Sequence, residues 1–403
     1  MKVLVVGGAG YIGSHTVREC RRSGIEPVVF DNFSTGNRES VAGVEVIEGD
    51  LLDPRNLRSA FENNTFDAVF HFAASASVPE SVQKPELYYH NNVAGSLNLV
   101  HAMLEAGVER LVFSSTAATY GDPEEVPMPE THPTRPVNPY GASKLLVERM
   151  LSDICEKHPL RYIALRYFNA AGADLSGDIG EDHADEGHLI PLIFYTALGK
   201  RKIFKIFGTD YDTPDGSCIR DFVHVTDIAK AHLLALEVMD EHPNQAINLG
   251  SSTGYSVREV IEESQRVVGD LKIAVEEEAR REGDPPVLVA SSDRARTVLG
   301  WKPQLSELPM ILETAWRWHR GHPNGYAGSG KRTAENEKST ELFGDIAARL
   351  GHVSDEDVVR ALERQKEEVD IGHAHKLLGM HMLEMGLLST SQLIEILKYY
   401  ENR

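Results

Sequence analysis

Two groups of residues in this chain have the types and spacing to do chemistry together. Tyr140 and Lys144 lie four apart in Pro139-Tyr140-Gly141-Ala142-Ser143-Lys144, so on a helix they share one face. A phenol near its usual pKa of about 10 is a poor base at neutral pH. A nearby ammonium favours the phenolate and lowers that pKa. Far upstream, Val3-Leu4-Val5-Val6-Gly7-Gly8-Ala9-Gly10-Tyr11-Ile12-Gly13-Ser14 reads as a strand, a glycine turn and a helix start. Gly7, Gly10 and Gly13 allow positive φ, close backbone approach to a pyrophosphate and tight helix–strand packing. The helix N-terminus then offers free N–H groups to phosphates. The chemistry implied is redox, with a dinucleotide held beside a tyrosine that moves a proton.

Further residues fill out that picture. Phe113-Ser114-Ser115-Thr116 ends an apolar run upstream of the dyad, and ligands of open α/β sheets bind at such strand ends. A hydroxyl there can hydrogen-bond both a substrate oxygen and the tyrosine. Asp31 ends the second apolar run. A carboxylate there accepts from the adenosine ribose hydroxyls and repels a 2′-phosphate, which favours NAD over NADP. Asp50 is open to two readings, an acceptor for the adenine amino group or a cap for the helix that follows. Arg220 is open to a ligand role or, as the structural alternative, to an ordinary surface ion pair with Asp221.

The elements that must position these groups alternate from the start. Val3–Val6, Pro27–Phe30, Val44–Ile47, Ala68–Phe72, Leu111–Ser114 and Tyr162–Tyr167 read as strands. Gly13–Ser23, Leu57–Phe61, Tyr89–Ala106 and Ser143–Lys157 read as amphipathic helices between them. Mostly apolar strands alternating with helices imply a parallel sheet covered on both faces. The expected organisation is a Rossmann-type core over about 1–168 and a smaller α/β substrate lobe over about 169–328. A linker over 329–340 and an all-α module over 341–403 complete it. The compact unit reads as closing near Trp318-His319, and Gly321–Thr340 has linker composition.

The tail holds a repeat. Leu342-Phe343-Gly344…Gly351-His352-Val353-Ser354…Val358…Leu362 is echoed by Leu377-Leu378-Gly379…Gly386-Leu387-Leu388-Ser389…Leu393…Leu397. Each copy reads as helix, Gly stop, Ser N-cap, second helix, and two copies can bury their apolar stripes on each other.

Composition sets bounds. The 403 residues, 41% hydrophobic and 25% charged, are those of a multi-domain globular protein. A net charge of -20 argues against binding a nucleic-acid backbone. No apolar run approaches the ~20 residues of a membrane span, and the glycine-ended opening is unlike a signal peptide. Cys20, Cys155 and Cys218 are scattered and odd in number, which fits a reducing, cytoplasmic setting and no metal centre.

In this order, the glycine turn, Ser114-Ser115-Thr116 and Tyr140/Lys144 resemble the extended short-chain dehydrogenase/reductase family. From Met1 to about Tyr326 the chain is similar to its UDP-sugar 4-epimerase branch. The segments that carry this are His71-Phe72-Ala73-Ala74, Glu80-Ser81-Val82-Gln83-Lys84-Pro85, Tyr89-His90-Asn91-Asn92, Arg166-Tyr167-Phe168-Asn169, Phe207-Gly208-Thr209-Asp210-Tyr211, Pro214-Asp215-Gly216-Ser217-Cys218-Ile219-Arg220-Asp221-Phe222-Val223-His224-Val225 and Arg280-Arg281-Glu282-Gly283-Asp284. The resemblance implies reversible inversion at C4 of UDP-glucose and UDP-galactose, with NAD as resident cofactor and a homodimer as the assembly. It assigns Tyr140, Lys144 and Thr116 to catalysis. It places Gly7, Gly10, Tyr11, Ile12, Gly13, Asp31, Asn32, Phe33, Ser34, Thr35, Gly36, Asp50, Leu51, Phe72, Ala73, Asn91, Ser114 and Phe168 around NAD, with Tyr140 and Lys144. It places Asn169, His188, Leu189, Phe207, Arg220, Arg281, Asp284 and Leu288 around the UDP-sugar, with Thr116. Two arginines suit a diphosphate. Phe207 suits stacking on uracil, and Asp284 suits the uridine ribose.

Three positions depart from the family's pattern. Ala76 stands where Lys or another polar residue is frequent. His188 replaces an Asn. Leu288 sits at a pocket-rim position that varies in bulk and governs the space for a C2 substituent. A nucleotide-sugar dehydratase would carry Asp-Glu after Thr116, where this chain has Ala117-Ala118. A non-catalytic NAD sensor would need no base like Tyr140. The tail repeat resembles the N-terminal helical module of type II secretion and pilus ATPases, without the arginines of its nucleotide-binding form, and its partner is unknown.

Overall fold

In this computed structural model the described residues are 1–281, 283–326, 347, 350–354, 357, 358, 360, 361, 364, 378–389 and 391–393. The chain divides into two compact units, Met1–Ser329 and Gly330–Arg403. The expected 329–340 linker lies outside the described residues, as do Glu282 and the repeat positions Leu342, Phe343, Gly344, Leu362, Leu377 and Leu397.

The larger unit is built on a seven-stranded sheet. Its strands are β1 (Lys2–Val6), β2 (Glu26–Asp31), β3 (Glu45–Glu48), β4 (Ala68–His71), β5 (Arg110–Ser114), β6 (Arg161–Tyr167) and, much later, β11 (Gln245–Leu249). The order is β11-β6-β5-β4-β1-β2-β3, and all pairs are parallel. Both faces are buried. Val3 and Val5 of β1 enter one core, where the helices Tyr11–Arg22 and Val225–Val238 pack. Leu4 and Val6 enter the other, with Pro54–Glu62, Gly95–Ala106 and Pro139–Cys155. This is why the strands read as continuous apolar runs. Strand order reverses at β1 between β4 and β2, which opens a crevice at the C-terminal edge.

The sheet does not close at Tyr167. Residues 225–249 return to it as a helix and the edge strand β11, so the core takes chain from beyond residue 168. The remaining lobe holds β7 (Asn169–Ala171), β8 (Phe204–Phe207), β9 (Ile219–Arg220), β10 (Phe222–His224), β12 (Tyr255–Ser256), β13 (Val275–Glu278) and β14 (Val287–Leu288). These form small sheets β10-β7, β12-β9-β14 and β13-β8. Its core gathers Ile193 and Phe194 with Val260, Ile311 and Trp316. The unit also runs past Trp318-His319. Tyr326 is buried, and its N–H donates to Asp182 Oδ2 at 3.0 Å.

In the smaller unit Ala347, Ala361, Met382 and Leu388 form one apolar cluster drawn from both copies of the repeat. Gly351 and Gly386 have φ of 72° and 68°. His352 N–H donates to Ala347 O at 3.0 Å and Leu387 N–H to Met382 O at 2.8 Å, the bonding of a left-handed glycine stop. Ser354 and Ser389 accept from the N–H of Asp357 and Gln392, so each caps the helix that follows. Among the described residues no helix is long and apolar enough to cross a membrane.

Candidate active site

The nucleotide end is made mostly of backbone. Gly7 follows β1 at φ 77°, and a Cβ there would lie 2.4 Å from Ala73 N. A Cβ on Gly13 would lie 2.3 Å from Gly7 O. Both positions exclude a side chain, which lets the helix Tyr11–Arg22 start against the strand. Its N-cap, Gly10, offers no side-chain cap, so the first-turn N–H groups are left for a ligand. Asp31, 8% exposed, accepts from Ala9 N–H (2.9 Å) and Phe33 N–H (2.8 Å). Burial raises its pKa and those two bonds oppose the rise. Each oxygen keeps a lone pair for a ribose hydroxyl. Asp50 accepts from Asn32 Nδ2, beyond the end of β2, and from Leu52 N–H in its own turn, whereas the cap of the next helix is Asp53. The helix-cap alternative for Asp50 therefore falls.

Other members of this group contribute unevenly. Leu51 is buried. Phe72 packs its ring 4.7 Å from that of His232, facing the core, while its backbone with Ala73 walls the glycine turn. Asn91 lies in a π-helical stretch, Tyr89–Ala94. There Asn92 ties Ser75 O to Ser143 Oγ, both at 3.0 Å. Such stretches often sit at functional sites. Ala76 is exposed and brings no polar contact.

The dyad rides on the helix Pro139–Cys155, which Asn138 caps by accepting from Gly141 N–H at 2.8 Å. A Cβ on Gly141 would lie 2.4 Å from Ala118 O. This glycine lets the helix close onto the turn after β5, where Thr116 stands. Burial raises the Tyr140 pKa, and its hydrogen bond with Thr116 pulls the other way. Lys144 is 3% exposed and donates to Ser114 O at 2.8 Å. Burial lowers its pKa to about 7 against the pull of Glu148. In the protein by itself, without the positive ring of a bound nicotinamide, desolvation of both groups wins.

Behind the dyad lies a network no local signal announced. Ser115 Oγ donates to Glu148, which is paired with Arg166, both side chains being buried. The Arg166 guanidinium lies 4.9 Å from the Tyr120 ring centroid, and Tyr120 donates to Asn248. Ser114 Oγ and the Tyr167 hydroxyl are 2.5 Å apart. These contacts lock the strand end that presents Thr116.

The substrate lobe presents charged side chains already paired. Arg220 binds the Asp284 carboxylate and Pro285 O. Asp221 is not its partner: it is buried and accepts from Ser251 and Ala290 N–H, and burial raises its pKa to about 6. The reading of Arg220 and Asp221 as a surface pair is therefore wrong. Arg281 lies over the Phe207 ring, 4.0 Å from its centroid. Arg281 and Asp284 line a cleft of about 500 Å³ with Tyr211 and Arg280, within the usual range for small-molecule sites. Asn169 donates to Asp221 O. Leu189 packs into the lobe's core. Leu288 packs with Phe168 against Ala117, Tyr120 and Met128, joining the lobe's rim to the turn that carries Thr116.

His188 is joined to a loop cluster. Its Nδ1 lies 2.8 Å from Glu186 and 2.9 Å from Glu181, and His183 meets the same carboxylates at 3.2 and 3.4 Å. Burial works against a charged His183, but its hydrogen bonds to the carboxylates of Glu181 and Glu186 hold its pKa up at about 10. A metal-type ligand set was not expected here; the spacing Glu-x-His-x-x-Glu-x-His was its visible signal.

A crevice at a strand-order switch, a glycine turn and a Tyr–Lys pair with its lysine buried define a nucleotide-dependent enzyme of the Rossmann class. The model of the NAD dependent epimerase/dehydratase family matches residues 3–250, and the chain belongs to that family. It is 48% identical over 332 residues to the UDP-glucose 4-epimerase of Halalkalibacterium halodurans, an alignment covering 82% of this chain and 99% of that protein. Among solved structures it is similar to UDP-glucose 4-epimerase from Brucella ovis in complex with NAD (TM-score 0.76, 46% identity, 78% of this chain and 97% of that one). It is also similar to the enzyme from Bifidobacterium longum in complex with NAD+ and UDP (TM-score 0.76, 37% identity, 81% and 100%).

Proposed function

We propose that this chain interconverts UDP-glucose and UDP-galactose by inversion at C4, with NAD kept bound through the cycle. The observation that carries this is the Thr116–Tyr140–Lys144 constellation, set at the sheet edge whose glycine turn is shaped for a dinucleotide. The first-turn N–H groups hold the pyrophosphate, Asp31 holds the adenosine ribose, and Lys144 exchanges Ser114 O for the second ribose. Bound NAD supplies the positive charge that favours the Tyr140 phenolate and the hydride acceptor and donor at C4.

Arg220 and Arg281 hold the diphosphate, Asp284 the uridine ribose and Phe207 the uracil. Thr116 orients the sugar 4-hydroxyl, and Tyr140 takes its proton. The 4-keto sugar, tethered through UDP, turns over within the pocket. Tyr140 then returns the proton to the 4-oxygen, so the chain ends as it began. Dehydration would need an acid and a base after Thr116, where Ala117 and Ala118 offer neither. The domain organisation follows the same division, with residues 1–328 as the enzyme and 341–403 as a helical module that contacts a partner chain. Exposed Val82, Leu87, Tyr89 and Leu146, on neighbouring helices, suit a homodimer face. Three free cysteines suit the cytoplasm.

The test is to incubate the purified chain with UDP-galactose and no added cofactor. UDP-glucose should form, and denaturing the protein should release NAD. A requirement for added NAD, consumed in proportion to product, would overturn the internal cycle. Running UDP-N-acetylgalactosamine in parallel reads the space beside Leu288.

A further inference from the structure

We infer that Glu181, His183, Glu186 and His188 form a structural zinc site that fastens their loop beside the nucleotide-binding helix. The four side chains come from eight consecutive residues, and one ligand atom from each lies within 4.8 Å of all the others. The two His183 contacts, at 3.2 and 3.4 Å, already match the ligand–ligand edges of roughly 3.3–3.5 Å that bonds of ~2.0–2.2 Å give around a tetrahedral ion. The two His188 contacts, at 2.8 and 2.9 Å, must open slightly, and Glu186, which meets His183 through Oε2 and His188 through Oε1, must turn one oxygen to the ion.

Charge argues the same way. The Glu181 and Glu186 side chains are 6% and 4% exposed. Two carboxylates in one buried place demand compensation. Among the described residues their ion pairs are with His183 and His188 alone, with no Lys or Arg. One divalent ion neutralises both carboxylates and leaves both imidazoles neutral. Two imidazole nitrogens and two carboxylate oxygens are a borderline donor set that suits zinc. Four protein ligands leave no open position, so the role is structural.

The loop is also held in place from outside the cluster. Trp318 Nε1 donates to Glu181 O at 2.9 Å, and Tyr326 N–H to Asp182 Oδ2 at 3.0 Å. The Tyr11 ring meets His183 edge-on at 6.4 Å, and its hydroxyl donates to Gly172 O at 2.6 Å. Tyr11 opens the nucleotide-binding helix, so an ion here ties the lobe's loop to that helix. His188, with its side chain 62% exposed, gives the ion a way in.

The test is elemental analysis of the full chain, purified without a metal-affinity tag or chelator. About one zinc per chain is expected. Stripping it with dipicolinate should lower the melting temperature, and equimolar zinc should restore it. Cobalt(II) added to the stripped protein should give the intense visible absorption of a tetrahedral site. His183→Ala and Glu186→Gln should each abolish the stoichiometric zinc and the chelator's effect. The wild-type stripping experiment decides the matter if those variants do not fold. Wild-type protein that holds under a tenth of an equivalent and takes up none on addition would overturn the proposal. So would zinc retained unchanged in both variants. None of these readouts depends on epimerase turnover.

Discussion

The nucleotide end and the substrate lobe solve the same problem, holding a phosphate-bearing ligand, with different materials. At the nucleotide end the contacts are backbone groups around Gly7 and Gly13 and one carboxylate, Asp31, held by two N–H bonds. Little has to move for a ligand to bind. In the lobe the groups proposed for the ligand, and the cleft-lining Arg280, are side chains already engaged with partners: Arg220 with Asp284, Arg281 over Phe207, Arg280 with Asp210. Binding there must exchange one set of partners for another, which costs part of the affinity gained. The difference suits a cofactor that stays and a substrate that leaves.

The largest effect expected is at the junction of the two regions. Tyr140→Phe keeps the ring that packs 6.5 Å from Tyr88 and removes the proton acceptor. Turnover should fall by at least ~10²–10⁴-fold, with NAD content and UDP affinity unchanged. Near-normal turnover would mean the proton leaves by another route.

That junction was only partly legible in sequence. Strands β1, β2, β4, β5 and β6 stood out as mostly apolar runs because they are largely buried on both faces, and the edge strand β3, Glu45–Glu48, only through Val46 and Ile47. The seventh, Gln245-Ala246-Ile247-Asn248-Leu249, is interrupted by Gln245 and Asn248, and its pairing with β6 makes it a strand. The Tyr140–Lys144 spacing was visible because it is local. Ser115, Glu148 and Arg166 come from three elements, and nothing short of the fold brings them together. Gly141 was visible as a letter but not as a close approach to Ala118.

A second test sets the two building materials against each other. Gly13→Ala drives a Cβ into Gly7 O and should weaken NAD retention about 10–100-fold, in line with the ~1–3 kcal/mol cost of overpacking. Arg220→Lys keeps the charge but loses the planar fork. It should raise KM for the UDP-sugar by about tenfold, roughly one charged hydrogen bond, and leave NAD content alone. NAD lost from Arg220→Lys, or KM raised with NAD intact in Gly13→Ala, would break the division.

A smaller effect concerns the sheet that both regions share. Burial lowers the pKa of His15, His224 and His232 to about 4 and of His71 to about 3. The unfolded chain takes up these protons near pH 6.5 and the folded chain does not, so stability is lost as pH falls from about 6.5 towards 4. Each histidine contributes a slope of up to ~1.4 kcal/mol per pH unit in that window. Chemical denaturation at pH 7.5, 6 and 5 reads it, and a flat profile would mean that these rings are already charged in the folded protein.

The smallest effect expected is in the catalytic rate when the tail is removed. Residues 331–403 contain none of the groups assigned to cofactor or substrate. The cluster of Ala347, Ala361, Met382 and Leu388 shows that these four apolar positions are buried within their own unit. Deleting the tail should therefore leave turnover within about twofold, the span of an effect under ~0.5 kcal/mol. What should change is solution mass, if the module's outer face contacts a partner chain. Turnover and sedimentation of the two forms, compared at one concentration, separate these outcomes. A truncated chain that is folded and keeps NAD but has lost activity would show that the tail completes the active site. The contrast between backbone-built and side-chain-built regions would then need a third member.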